Sequence, residues 1–219
     1  MNRAAAFTPA SGRFGFQGLY DPALRVLTRE RVWRSLLLDS LNPSPGDVIV
    51  DVGCGTGSLA ILVKHRCPEA QVIGIDPDPE ALSRAAAKAH ESGCEIEWRR
   101  GFAAEAATIS KGTATQVVSS LVFHQVAPAE KRSGLAAMFR AVRSGGRIHV
   151  ADYARQSGLM RQLFKVVQLL DGAADTQPNA DGMLEVLLAE HAGHPVAAHA
   201  VVPTPTGAIS LFEVETARV

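Results

Sequence analysis

From Val48 onward the chain alternates short apolar runs with longer amphipathic stretches, the pattern of repeated strand–helix–strand units. The apolar runs predict five strands, at residues 47–52, 71–76, 95–98, 116–122 and 146–152. The stretches between them predict three helices, at residues 57–66, 79–92 and 128–143. Gly145 and Gly146 are expected to end the last of these helices. The pattern therefore predicts an α/β domain with a doubly wound, mostly parallel sheet and helices on both faces.

Further elements are predicted on both sides of these repeats. Asp21 and Pro22 are typical of a helix start, and this helix is expected to end before Pro43. The apolar face of this helix is expected to contain Val26, Trp33, Leu36, Leu37 and Leu41. Residues 155–192 are less regular and predict another helix. Two final apolar runs, 196–202 and 208–215, predict an antiparallel edge that brings the sheet to about seven strands.

A chain of 219 residues suits one domain of ordinary size, and we expect a single domain over residues 1–219. Within it we expect an N-terminal arm and lid helix, a binding core, a lid or substrate segment and the final strands. These four parts are expected at residues 1–41, 46–153, 155–192 and 196–219.

Composition excludes several classes of protein. Hydrophobic residues make up 47% and charged residues 20% of the chain, as in a soluble globular protein. The 22 basic residues balance the 22 acidic ones, so we expect no nucleic-acid partner. The sequence shows neither a secretory leader nor an apolar run of about 18 residues, which predicts a cytoplasmic protein without a transmembrane segment.

The cysteines and clustered histidines do not predict a metal site or a disulfide framework. The three cysteines, Cys54, Cys67 and Cys94, lie in no CxxC arrangement and favour a reducing compartment. The histidines of residues 191–199 are spaced HxxHxxxxH, which matches no zinc pattern. We therefore expect no bound metal.

The most informative segment is VIVDVGCGTGSLA, residues 48–60, in which a buried strand leads through three alternating glycines into a helix. Gly53, Gly55 and Gly57 allow a tight turn and a close approach of the backbone to a ligand. The N–H groups at the start of the helix can meet polar or anionic groups there. The segment predicts a nucleotide-type cradle, although a glycine-rich turn that binds nothing remains open on this pattern alone.

A second motif lies nineteen residues after Gly57, where the next strand ends at Asp76 in the sequence GIDPD. A carboxylate at this place can accept hydrogen bonds from both hydroxyls of an adenosine ribose, with Pro77 beside it. The spacing would also allow a nicotinamide cofactor. Against that alternative, the loop reads DxGxGxG and lacks the GxGxxG spacing that seats a pyrophosphate.

The chain resembles the class I S-adenosylmethionine-dependent methyltransferases, especially the small-molecule group that includes the ubiquinone and menaquinone methyltransferases. Four segments within roughly residues 20–155 carry the resemblance: VDVGCGTG, GIDPD, VVSSLVFHQVAPAEKR and VRSGGRIHVADY. The resemblance implies a Rossmann-like fold and S-adenosylmethionine as cofactor, with S-adenosylhomocysteine as product. It says little about the methyl acceptor.

The resemblance also implies roles for individual residues around the cofactor. Asp51, Gly53 and Gly55, with Cys54 between the glycines, would surround the amino-acid end. Asp76 would bind the ribose, and residues 101–103 would flank the adenine. The adenine residues include Phe102 and Ala103, and Tyr20 would lie over the methionine portion. The floor would be lined by Ser119, Ser120, Leu121, Phe123 and His124.

Phe102 departs from the family pattern, because many relatives carry an acidic residue there that accepts from the adenine amino group. Adenine recognition would then fall to backbone groups, with Phe102 packed on the ring. The alternative is that Phe102 is an ordinary core residue.

Three residues are candidates for chemistry or acceptor binding. His124 follows the fourth strand and has the ordinary pKa of a general base, although many methyl transfers need only proximity and orientation. Asp152 and Tyr153 end the fifth strand at the edge where open α/β sheets bind ligands.

The predicted function is methyl transfer from S-adenosylmethionine to an O, N or C atom of a small, apolar or aromatic acceptor. The apolar character is inferred from the lid residues Phe14, Phe16, Trp33, Met160, Phe164, Leu170 and Met183. Two alternatives stay open, a cofactor-binding regulatory or scaffold protein without methyl transfer and a nicotinamide-dependent reductase. The same apolar helix faces would also suit a homodimer.

Overall fold

The computed structural model describes residues 28–217. Seven strands form one sheet: β1 (Val48–Val52), β2 (Gln71–Asp76), β3 (Glu97–Arg100), β4 (Ala114–Ser120), β5 (Val142–Tyr153), β6 (Ala200–Thr204) and β7 (Gly207–Glu215). Nine helices accompany the sheet within the described part: α1 (Glu30–Leu41), α2 (Ser58–Arg66), α3 (Pro79–Glu91), α4 (Ala106–Ser110), α5 (Pro128–Ala141), α6 (Gly158–Leu163), α7 (Lys165–Asp171), α8 (Ala173–Ala180) and α9 (Met183–Ala192). Short 3₁₀ turns lie at Ala103–Glu105 and Phe123–Gln125.

The sheet has the strand order β3-β2-β1-β4-β5-β7-β6. The five strands from β3 to β5 pair in parallel, β7 runs antiparallel to β5, and β6 closes the edge antiparallel to β7. The predicted Rossmann-like fold class is thus confirmed. The strand order reverses between β1 and β4, which is where open α/β sheets bind ligands at the carboxyl ends of their strands.

Two apolar cores cover the two faces of the sheet. One packs α5 and α9 against the central strands, with Phe123, Leu135 and Leu188 among its fully buried members. The other packs α1, α2 and residues of the 155–192 segment against the opposite face, with Trp33 and Phe164 fully buried. The two cores hold the strand ends rigidly on both sides of the switch point.

The predicted end of the third helix was wrong. α5 ends at Ala141, and the chain continues directly into β5, which contains Gly145 and Gly146. Gly145 has a φ of +69°, and the β4–β5 register shifts along this stretch. The two glycines therefore lie in an irregular stretch of a strand, where the sequence pattern had predicted a helix stop. The strand β3 begins and ends two residues later than predicted.

The N-terminal helix buries a slightly different face from the one predicted. Trp33, Leu37, Leu38 and Leu41 are buried, whereas Leu36 is exposed. Leu36 and Leu38 lie on opposite sides of the row formed by residues 33, 37 and 41, and only the side with Leu38 is buried. The predicted helix start at Asp21, and Val26, lie outside the described residues.

The segment 155–192 forms four short helices, α6 to α9, where the sequence predicted one helix without definite bounds. Gly172, with a φ of +92°, separates α7 from α8, and Gly182, with a φ of +99°, precedes α9. Between residues 28 and 217, no helix combines the length and apolar character needed to cross a membrane. The division of the chain into four functional parts remains a prediction.

Candidate active site

A cavity of about 700 Å³ opens at the carboxyl ends of β1, β2 and β4. Predicted cofactor residues from four separate segments of the chain line it. Those on its wall are Gly53, Cys54, Gly55, Asp76, Pro77, Gly101, Phe102, Ala103, Ser120 and Leu121. The volume falls within the range of pockets that take cofactors and drug-sized ligands.

The glycine-rich turn shapes one wall of the cavity. A Cβ at Gly53 would collide with the Val122 side chain, so that glycine allows the floor loop to approach β1. At Gly55 a Cβ would meet nothing within 4 Å, because it would project into open space beside the cavity. Gly55 also has a φ of +52°, a conformation that favours glycine. The turn thus leaves room for a ligand to lie against its backbone.

Gly57 has a packing role. It does not line the cavity, and a Cβ there would lie 2.5 Å from Cη2 of Trp98 and 2.9 Å from Cβ of Ala85. Trp98, in β3, also lies against Gly74 of β2. Gly57 therefore allows α2 and β3 to pack closely, and its contact with the cofactor stays a prediction.

Asp76 joins the end of β2 to the glycine turn. Its Oδ2 accepts a hydrogen bond from the Gly55 N–H at 2.8 Å, and its Oδ1 accepts from the Asp78 N–H at 2.9 Å. Burial raises the pKa of Asp76, and the two N–H donors lower it. Each carboxylate oxygen has a further lone pair, so Asp76 can still accept from a ligand hydroxyl.

Asp51 lies beneath the cavity rather than on its wall. It is 1% exposed, and neither of its carboxylate oxygens has a hydrogen-bond partner among the described residues. Burial raises the pKa of Asp51 to about 7, against the opposing effect of Arg34, and nearby Asp76 raises it further. Arg34 and Asp76 do line the cavity, so the buried carboxyl is within electrostatic reach of a ligand bound there.

The adenine end of the predicted site is built around Phe102. The side chain is 42% exposed and lines the cavity, so the alternative of an ordinary core residue is wrong. The Phe102 N–H donates to Oε2 of Glu105 at 2.8 Å. Glu105 also lines the cavity and was not predicted from the sequence, although its position three residues after the start of the turn is typical of a capping residue.

The floor of the cavity is the loop that follows β4, and Ser120, Leu121 and Val122 line it. Leu121 has a φ of +54°, which costs a non-glycine residue about 1–3 kcal/mol. Its N–H donates to the Ala151 carbonyl at 2.9 Å. Ser119 and Phe123, also predicted on the floor, are buried, and the Ser119 hydroxyl donates to the Val52 carbonyl.

His124 is buried behind this floor and does not line the cavity. Its Nδ1 lies 2.7 Å from Oδ1 of Asp152, and its Nε2 lies 3.4 Å from Oδ2 of Asp171. Burial lowers the pKa of His124, but the two carboxylates outweigh it and raise the pKa to about 9. Both ring nitrogens face carboxylates and the ring does not reach the cavity, so this geometry favours a structural role over the predicted base role.

Asp152 and Tyr153 are also turned away from the cavity. Asp152 is fully buried and accepts from the N–H groups of Val122, Phe123 and Tyr153. The Tyr153 hydroxyl shares a 2.6 Å hydrogen bond with Oγ1 of Thr206, and burial raises its pKa to about 12. This geometry favours a structural role at the strand end, and the contact of both residues with the acceptor stays a prediction.

Other wall residues come from elements that the sequence did not connect with the site. Glu30 and Arg34 of α1 form an ion pair, with Arg34 stacked 5.0 Å over the Trp33 ring. Asp175 of α8 and Glu130 of α5 contribute two further carboxylates. The i,i+4 spacing of Glu30 and Arg34 was a readable helix signal, but nothing in the sequence places α8 beside the glycine turn. Tyr20 lies outside the described residues.

The predicted lid residues do not account for an apolar acceptor site. Trp33 and Phe164 are fully buried in the core and face the sheet. Phe14 and Phe16 lie outside the described residues. Apolar surface on the wall comes instead from Leu59, Leu121, Val122 and Val126. Within residues 28–217, no three His, Cys, Asp or Glu side chains are grouped to hold a metal ion.

Comparison with known proteins shows which proteins share this Rossmann-like fold and its sequence motifs. Residues 49–146 match a family model described as a methyltransferase domain. The chain is 31% identical over 136 residues to a demethylmenaquinone methyltransferase of Thermus thermophilus, covering 61% of this chain and 60% of that protein. It is 31% identical over 151 residues to the demethylmenaquinone methyltransferase of Deinococcus radiodurans, covering 67% and 61%.

Among solved structures, the magnesium protoporphyrin IX methyltransferase of Synechocystis with bound S-adenosylhomocysteine superposes with a TM-score of 0.70 at 20% identity. The match covers 93% of this chain and 90% of that one. The chain spans about three fifths of the length of the curated relatives it matches. Its residues 49–146 are similar to a methyltransferase domain, and the predicted resemblance to class I methyltransferases is confirmed.

Proposed function

We propose that this protein transfers a methyl group from S-adenosylmethionine to a small organic acceptor in the cavity above β1, β2 and β4. One observation carries the proposal. The glycine turn, Asp76 and Phe102 meet on the wall of a single cavity, and all three lie within the residues that match the methyltransferase family model. The methyltransferase names of the curated relatives support transfer over the alternative of a regulatory or scaffold protein.

The described residues fit this cofactor in four respects. Gly55 leaves open space where any other side chain would stand, which suits close approach of a ligand to the backbone. Asp51 keeps a buried carboxyl without a hydrogen-bond partner within electrostatic reach of the cavity, which suits the cationic amino-acid end. Asp76 then has lone pairs for the ribose, and the exposed face of Phe102 can pack on the adenine.

When bound, S-adenosylmethionine supplies an electrophilic methyl group on a sulfonium, and S-adenosylhomocysteine remains after transfer. The residues of this chain then have to orient the acceptor and exclude water, since the methyl group is already activated. The floor loop of Ser120, Leu121 and Val122 fixes how closely an acceptor approaches. No proton transfer through His124 is required.

The acceptor is a small molecule with an apolar or aromatic part that packs against Leu59, Leu121, Val122 and Val126. The carboxylates of Glu105, Glu130 and Asp175 also face this cavity, so an anionic acceptor would meet repulsion. The acceptor that suits this cavity is therefore a neutral phenol, quinol or amine. A cytoplasmic location, a homodimer and the absence of a nucleic-acid partner remain predictions.

The test is the formation of S-adenosylhomocysteine from S-adenosylmethionine, measured by mass spectrometry against a panel of neutral phenols, quinols and amines. Matched carboxylic acids are the comparison panel. Gly55→Ala serves as the inactive control, because its methyl group projects beside the cavity while leaving the core untouched. Turnover with at least one neutral acceptor is expected. Cofactor binding without turnover on any acceptor would favour the regulatory alternative.

A further inference from the structure

A buried charged cluster lies between the cavity floor and the helices α7 and α8, and the proposed transfer reaction does not use it directly. Its centre is the His124 ring, which is 6% exposed and faces Asp152 on one side and Asp171 on the other. Asp152 belongs to β5, whereas Asp171 is the last residue of α7. One side chain therefore connects the sheet to the overlying helices.

Asp152 in turn holds the cavity floor. Its Oδ2 accepts from the Val122 N–H at 3.0 Å and from the Phe123 N–H at 2.6 Å. These two bonds fix the backbone immediately after Leu121, whose positive φ is unfavourable and must be imposed by its surroundings. Asp152 is thus the acceptor on which the conformation of the floor depends.

A fully buried carboxylate with three N–H donors still carries a charge that needs compensation. His124 supplies the nearest positive charge, and its T-shaped contact with the Tyr153 ring, with centroids 5.2 Å apart, fixes the ring plane. The buried ammonium group of Lys131 donates to the Phe123 carbonyl on the same loop and interacts electrostatically with Asp152 and Asp175. Two cations and three carboxylates therefore surround the floor loop from β5, α5, α7 and α8.

We infer that His124 is a positioning residue, an imidazolium clamp that neutralises Asp152 and Asp171 together and so couples the cavity floor to α7. α8, which follows α7 after Gly172, packs against the Phe123–Gln125 turn and carries Asp175 to the cavity wall. The clamp therefore fixes the positions of both the floor loop and the opposite wall of the cavity. The inference rests on the proposed function for its ligand, but the clamp itself exists without ligand.

The test compares His124→Asn, Asp171→Asn and the double variant with the wild-type chain. Asn at position 124 keeps a donor near the place of Nδ1 toward Asp152 and loses the contact with Asp171. Asp171→Asn removes the charge at the other end of that same contact. Asp181→Asn is the matched control, because it makes the same change in an exposed ion pair with Arg161 on the same group of helices.

Amide hydrogen exchange of Val122 and Phe123 is measured by NMR in the ligand-free protein, and S-adenosylhomocysteine binding by calorimetry. Each single variant is expected to remain folded, to speed exchange at least fivefold and to raise the Kd about three- to tenfold. The effects in the double variant should be less than additive, because both changes remove the same His124–Asp171 contact. The control should change neither quantity.

Unchanged exchange at Val122 and Phe123, or fully additive effects in the double variant, would overturn the clamp. A lower unfolding temperature with unaltered Kd would show a merely structural role and also overturn it. If the variants fail to fold, the ¹⁵N chemical shifts of the His124 ring in the wild-type protein test the clamp. The clamp requires both ring nitrogens to be protonated at pH 7.5, and a neutral ring would overturn it. Wild-type protein that binds no S-adenosylhomocysteine would contradict the proposed function while leaving the exchange test valid.

Discussion

Replacing Asp51 by Asn should make the ligand-free protein more stable and the cofactor complex weaker. The carboxyl is buried without a hydrogen-bond partner among the described residues, and its pKa is raised from 3.8 to about 7. Each tenfold change in proton affinity is worth about 1.36 kcal/mol, so ionised Asp51 costs the folded state about 4 kcal/mol above pH 7. Asn removes that cost in nearly the same volume.

The amide introduces N–H donors of its own, and leaving them unsatisfied costs about 1–3 kcal/mol. The net gain at pH 8 is therefore about 1–3 kcal/mol, or about 2–12 °C in unfolding temperature for a chain of this size. The unfolded carboxyl ionises near pH 4 and the folded one near pH 7, so wild-type stability falls as the pH rises between these values. At pH 5 the advantage of Asn should shrink by about 2–3 kcal/mol.

Chemical unfolding at pH 5 and pH 8 measures this difference directly. Asp39→Asn is the control, because Asp39 forms an exposed ion pair with Arg66 and should show little change at either pH. Calorimetry should show at least tenfold weaker S-adenosylmethionine binding to Asp51→Asn, because the charge facing the cofactor's amino group is lost. A variant less stable than wild type at pH 8, or an advantage independent of pH, would refute the reasoning.

Four other substitutions test the remaining assignments. Gly55→Ala should lose about 1 kcal/mol of folding free energy because alanine disfavours the positive φ at this position. The variant should still fold, and calorimetry should show at least tenfold weaker binding of S-adenosylhomocysteine. Gly57→Ala should lose about 2–4 kcal/mol in urea unfolding, because its methyl group overlaps Trp98, and an unaltered stability would contradict that packing. Phe102→Ala should leave the unfolding temperature unchanged and raise the cofactor Kd about three- to tenfold; equal affinity would remove Phe102 from the adenine site. Burial lowers the pKa of His149 to about 4, so the free energy of unfolding of the wild-type chain falls as the pH drops from 6.5 toward 4. In urea titrations, the His149→Gln variant should lose about 2–3 kcal/mol less free energy of unfolding than wild type between pH 7 and 4.5.

The cofactor cradle was predictable because its determinants are local in sequence. A buried strand, alternating glycines and a helix within thirteen residues define the turn, and Asp76 follows at the end of the next parallel strand. Parallel neighbours end at the same edge, so the spacing alone brings Asp76 to the Gly55 N–H.

Long-range contacts explain what the sequence did not show. Gly57 was assigned to the cofactor because Trp98, forty-one residues later, cannot be recognised as its packing partner from spacing. His124 looked like a base because Asp171 reaches it only through the arrangement of α7. Leu36 was placed on the buried face of α1 instead of Leu38 because apolar residues at both positions fit a helical period.

The measurement that tests the central claim most directly is side-by-side calorimetry of the purified protein with S-adenosylmethionine, S-adenosylhomocysteine and NADH. The geometry of the glycine turn and Asp76 predicts micromolar binding of the first two, with both weakened in Gly55→Ala, and no binding of NADH. Binding of NADH in preference to the two sulfur compounds would contradict the proposal and assign the cavity to a nicotinamide-dependent reductase.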